Sequence, residues 1–92
     1  MSGHRIRLST NVLLQRVNDE AVLLDLETRS YFGLDPIGTI IWEGIENNKS
    51  ETEIVESITQ RFAVEAEVAC RDLREFLIEL RDDGLIHLKE AH

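Results

Sequence analysis

Few residues of this chain stand in a pattern that performs covalent chemistry. Cys70 has no histidine near it in sequence to act as a base, so it reads as a small apolar side chain rather than a nucleophile. His4, His87 and His92 fall near the two ends, with no spacing that turns two of them toward one metal ion. Gly3, Gly33, Gly38, Gly44 and Gly84 are isolated from one another, so no glycine-rich loop is available to cradle a phosphate. A single cysteine excludes an internal disulfide and any cysteine-based zinc site. Trp42 and Tyr31 read as core or edge anchors rather than cofactor stackers. No catalytic residue, metal or cofactor is expected.

Two features suit recognition. Between Glu65 and Asp83 the apolar residues Ala66, Ala69, Leu73, Phe76, Leu77 and Leu80 form one stripe at helical spacing. Asp72, Glu75, Glu79 and Asp82 fall on one flank of that stripe. Cys70, Arg71, Arg74, Ile78 and Arg81 fall on the other. A solvated face accounts for such a pattern, but arginines beside an off-core isoleucine also suit an acidic, partly apolar ligand. The second feature is Ser30-Tyr31-Phe32-Gly33, a strand with no Pro, Lys or inward charge to protect its edge. Such an edge can accept an extended peptide as an added strand, and Gly33 lets a second backbone come close. The same edge could be covered by the chain's own tail, or could pair with a second copy to give a homodimer.

The elements that position these residues change period near residue 35. Before it, Asn11–Val17, Ala21–Asp25 and Ser30–Leu34 read as three strands. Asn18-Asp19-Glu20 separates the first two, and the glycine-free Leu26–Arg29 separates the second and third. Connections this short allow only antiparallel neighbours, so the strands form a meander. Asp35-Pro36 then opens a helix bearing Ile37, Ile40, Ile41, Trp42 and Ile45, which Asn47-Asn48 ends. Ser50-Glu51-Thr52-Glu53 matches a capping box for a second helix with Ile54, Val55, Ile58 and Phe62. The third helix closes at Gly84, a left-handed cap, and Leu85–Leu88 is a short extended tail. The fold class is therefore α+β: a three-stranded antiparallel meander packed on three helices.

The whole-chain numbers agree with one small domain. A chain of 92 residues buries about 64 % of its extended surface, enough for a single two-layer core. With 42 % hydrophobic and 30 % charged residues it is globular rather than disordered. A net charge of −8 argues against nucleic acid and against anionic membrane surfaces. No apolar run reaches the roughly 20 residues of a membrane span, and Met1–Arg5 leads into no signal-peptide stretch. A cytoplasmic protein is expected, with a domain over residues 8–88 and flexible ends at 1–7 and 89–92.

The run Val22 to Gly38, with Tyr31-Phe32-Gly33-Leu34-Asp35 at its centre and Ile41-Trp42 after it, resembles the PqqD-like family. Glu53–Phe62 matches that family's second helix, and Asp72–Leu77, Leu80 and Gly84-Leu85-Ile86 its third; the likeness covers about residues 8–88. It implies a recognition element similar to a winged helix-turn-helix, which binds the leader of a ribosomally made precursor peptide and presents it to modifying enzymes. The leader would add to the third strand and lie against the third helix. In this sequence those positions are Arg29, Ser30, Tyr31, Phe32 and Gly33, and the flank Cys70, Arg71, Arg74, Ile78 and Arg81. Two settings follow. The favoured one is lasso-peptide biosynthesis, with a leader-removing peptidase as partner. The other is pyrroloquinoline quinone biosynthesis, with a radical-SAM enzyme. A winged-helix DNA-binding regulator is the alternative from another class, and the net charge weighs against it.

Overall fold

The computed structural model describes residues 4–18 and 20–90. Three strands, β2 (Val12–Val17), β3 (Glu20–Asp25) and β4 (Ser30–Leu34), form an antiparallel meander in that order, and β1 (His4–Leu8) and β5 (Ile86–Glu90) form a separate antiparallel pair. Between β4 and β5 come α1 (Pro36–Glu46), α2 (Glu51–Arg61) and α3 (Ala66–Asp82).

The turns have local causes. Val17 pairs with Glu20, leaving a two-residue connection whose first member, Asn18, takes φ 60°. Asn tolerates this left-handed conformation as few residues do; Asp19 lies outside the described residues. The glycine-free turn between β3 and β4 is organised by Asp25. Its carboxylate accepts from the amides of Glu27 (3.0 Å) and Thr28 (3.2 Å), and its carbonyl accepts from the Arg29 amide at 2.7 Å. Arg29 is thereby held at φ 62° in the turn, outside the strand.

Helix starts follow the expected caps. Asp35 accepts from the Gly38 amide at 2.7 Å, with Pro36 in the first turn. Ser50 accepts from the Glu53 amide (3.1 Å), and the Glu53 carboxylate accepts in return from the Ser50 amide (2.8 Å). Gly84 takes φ 76°, and the chain turns out of α3 into β5.

The inner face of the meander carries Ala21, Leu23 and Leu34 and meets Ile41, Trp42 and Ile45 of α1, Ile54 and Ile58 of α2, and Leu73, Leu77 and Leu80 of α3. Leu85 and Ile86 close the layer. Each fully buried aliphatic side chain contributes about 1.5–3 kcal/mol. The Arg16–Glu43 ion pair joining β2 to α1 is exposed and contributes about 0–1 kcal/mol, so burial rather than charge holds the layers together. The helical stripe expected in α3 is the buried one, except that Ala66 is exposed and Phe76 half-buried.

Two points differ from the sequence reading. Residues 89 and 90, expected in a flexible end, extend β5, and residues 4–7, expected in the other flexible end, belong to β1. Its partner is the tail strand: Ile6 pairs with Leu88 and Leu8 with Ile86. Seventy-odd residues separate the two partners, and no local pattern announces a pairing of that range. The tail is therefore engaged by β1 and does not cover β4.

Candidate functional site: a groove between β4 and α3

β4 stands at the border of its sheet. Its residues pair with β3 on one side, from Ser30↔Asp25 to Leu34↔Ala21, and no described strand pairs with the other side. Along that free side runs a cleft of about 380 Å³. Phe32, Gly33 and Leu34 form one wall, α3 forms the other, and Ile37, Gly38 and Ile41 of α1 close the end.

The alternation of the strand decides what lines the floor. Leu34 is buried and Phe32 half-buried on the helix-facing side, whereas Tyr31 is 76 % exposed and lies with Gly33 on the opposite face of the sheet. Phe32 meets Phe76 of α3 in a tilted aromatic pair, with ring centroids 6.1 Å apart at 55°. A side chain entering beside β4 thus finds an apolar, aromatic base. Gly38 matters to this base: a Cβ there would lie 3.3 Å from the Phe76 ring and 3.4 Å from Leu34.

The helical wall is acidic. Asp72, Glu75 and Glu79 border the cleft around Phe76. A smaller depression at the other end of β4 brings Asp83 beside Ser30, Tyr31 and Phe32. The ion pairs of the described residues are Arg16–Glu43 and Arg81–Asp82, so none of these four carboxylates is neutralised by one.

The arginine flank lies elsewhere. Cys70, Arg71, Arg74 and Ile78 line a second depression with Glu67 and Val68, and only Glu75 borders both. Arg81 reaches Asp82 at 3.4 Å and lines neither depression. The expected union of Arg29–Gly33 with Cys70, Arg71, Arg74, Ile78 and Arg81 in one groove is therefore corrected. The structure brings Phe32 and Gly33 together with the acidic flank, and Ser30 and Tyr31 with Asp83. A helical wheel has two flanks on either side of its buried stripe. Only the placement of α3 against the sheet decides which of them meets β4. Asp72, Glu75, Phe76 and Glu79 border the cleft and are not among the expected site residues. Three of them belong to the segregated acidic flank of the helical wheel, on which Phe76 falls within the core stripe.

Among the described residues no group of three or more metal-ligating side chains is close enough to share an ion. No described helix is long and apolar enough to cross a membrane.

The family described as "Coenzyme PQQ synthesis protein D (PqqD)" matches residues 20–86. A solved structure of TbiB1 in complex with the TbiA(β) leader peptide shares 40 % sequence identity, with a TM-score of 0.80 over 88 % of this chain and 94 % of that one. A lasso peptide synthetase B1 complexed with the leader peptide has a TM-score of 0.82 over 89 % of this chain and 96 % of that one; at 22 % identity it speaks to the fold alone. No curated protein matches the sequence.

Proposed function

The chain belongs to the PqqD family, and from that membership and its open groove we propose that it binds the leader segment of a ribosomally made precursor peptide and presents it to processing enzymes without catalysing a reaction itself. The observation that carries this reading is the border of β4 that no described strand pairs, above the Phe32–Phe76 floor. It gains support from the 40 % identical TbiB1, which was solved holding a leader peptide.

The geometry performs this task in two parts. Backbone N–H and C=O groups along Ser30–Leu34 pair with an extended guest and fix its direction and register. Because a strand exposes alternate side chains, every second residue of the guest turns toward the floor. Burying one large apolar anchor there supplies about 1.5–3 kcal/mol before ordering costs, against about 0–1 kcal/mol for each exposed ion pair. The apolar anchor therefore outweighs any one ion pair, and charge selects among guests. The processing partner belongs to this proposal as well. The lasso setting, with a leader-removing peptidase, is favoured over a radical-SAM enzyme of the quinone cofactor pathway on the Tyr31-Phe32-Gly33 strand.

The test uses the TbiA(β) leader peptide as probe. Titration followed by amide hydrogen exchange is expected to show saturable binding with protection of the Ser30–Leu34 amides. Phe76→Ala, checked for folding by circular dichroism, is expected to weaken binding by at least about 30-fold, as for a hot-spot residue. Absence of binding, or protection confined to residues away from β4, overturns the proposal.

A further inference from the structure

The sequence suggested an arginine-lined site for an acidic guest; the structure reverses the sign. Resting on the groove as the peptide site, we propose that its guest carries two basic side chains four residues apart, with an apolar residue midway between them.

The spacing of the carboxylates on α3 matches that of alternate side chains on a strand. Asp72, Glu75, Glu79 and Asp83 succeed one another along the groove-facing side of α3 and its cap. A helix rises about 1.5 Å per residue. Asp72 and Asp83 are therefore about 16 Å apart along the axis, and the midpoint of Asp72 and Glu75 lies about 11 Å from that of Glu79 and Asp83. A strand rises about 3.3 Å per residue, so its positions i and i+4 are about 13 Å apart and point to the same face. Two guest cations at those positions each find two carboxylates. Position i+2 falls between them, over Phe32 and Phe76. The pattern reads the same in both directions, so it holds for a guest running parallel or antiparallel to β4.

Nothing in the groove supplies these charges from within. No Lys or Arg lines the cleft, and neither ion pair of the described residues involves the four carboxylates. They do not gather closely enough to hold a metal ion. A chain of net charge −8 deepens the negative potential over the groove, which repels acidic peptides and draws basic ones.

The experiment is selection from a random dodecapeptide display library, run in parallel on the wild-type chain and on the Asp72→Asn/Glu75→Gln/Glu79→Gln variant. These three side chains are exposed, so the variant is expected to keep its circular dichroism spectrum. Wild type should enrich peptides with Lys or Arg at i and i+4 around an apolar i+2. The variant should keep the apolar preference and lose the basic pair. A labelled wild-type survivor should bind about 1.5- to 5-fold more weakly for each carboxylate removed, a difference that shrinks as salt is added. Survivors that protect the Ser30–Leu34 amides but lack the basic pair overturn the charge assignment and leave the groove standing. The same holds if the variant selects the same pair. Survivors that leave those amides unprotected, or no enrichment at all, overturn the groove reading together with this one.

Discussion

Gly44 shows how a single missing methyl group shapes the core. In an isolated helix it weakens α1 by about 1 kcal/mol relative to Ala, so Gly44→Ala would be expected to stabilise. The neighbours argue the opposite. A Cβ at Gly44 would lie 2.6 Å from Cγ1 and 3.0 Å from Cδ1 of Ile54 on α2. Ile54 is 1 % exposed and lies in the packed core. Overpacking of this kind costs about 1–3 kcal/mol, which exceeds the propensity gain. Gly44→Ala should therefore lower the melting temperature, and the double variant with Ile54→Ala, which removes both crowded atoms, should lose less than the two single losses together. A thermal denaturation series on the two single variants and the double variant checks it. Additive losses would remove the contact from the account.

At the scale of an element, α2 is the helix most dependent on its own ends. It buries only Ile54 and Ile58 fully. Its capping box satisfies two amides that would otherwise lack partners, those of Ser50 and Glu53. Ser50→Ala should cost about 1 kcal/mol, or about 4–8 °C in melting temperature for a domain of this size. The box also confers a pH dependence. The Ser50 amide, its hydroxyl and nearby Lys49 hold the Glu53 carboxyl below the ordinary carboxylate value, in that order of importance. A carboxyl depressed in the folded state adds stability above its unfolded pKa, and loses it as pH falls through the lower, folded value. Glu53→Gln should flatten the stability profile across that acidic window and leave the neutral slope unchanged. Denaturant titrations at several pH values read this directly. An identical acid limb in both proteins would detach the box from the pH response.

At the scale of the whole molecule, α3 presents different chemistry on its two sides. The cleft beside β4 is acidic over an aromatic floor, and the depression on the far flank combines Ile78 and Cys70 with Arg71 and Arg74. The body of the helix separates them. Ile78 is 47 % exposed and stands clear of the buried stripe. Ile78→Glu should accordingly leave both folding and peptide affinity within about twofold, which anisotropy titration with the TbiA(β) leader would measure. A large loss of affinity would move the guest to the arginine side and undo the assignment of the groove.

Much of the architecture was legible in the chain itself, because its causes are local. Asp35-Pro36, Ser50 with Glu53, and Gly84 satisfy or turn the backbone within a few residues of themselves, and they sit at the helix ends where the sequence put them. The alternation in Ser30–Leu34 and the 3.6-residue stripe of α3 likewise follow from bonding geometry. Other features depend on partners distant along the chain. Pairing of β1 with β5 joins the two ends of the sequence, and no periodicity in either segment names the other. Propensity alone assigns Gly44 the wrong sign, since the deciding atom belongs to the next helix. The flank of α3 that borders β4 depends on how the helix is rotated against the sheet. That rotation is set by packing Leu73, Leu77 and Leu80 into the shared core. The sequence alone thus determined that a strand border and a two-sided helix exist, whereas the tail's pairing with β1 decided that the border is left open. Tertiary packing decided that the border faces the carboxylates, because side chains distant in sequence are brought together only when the apolar layer between them closes.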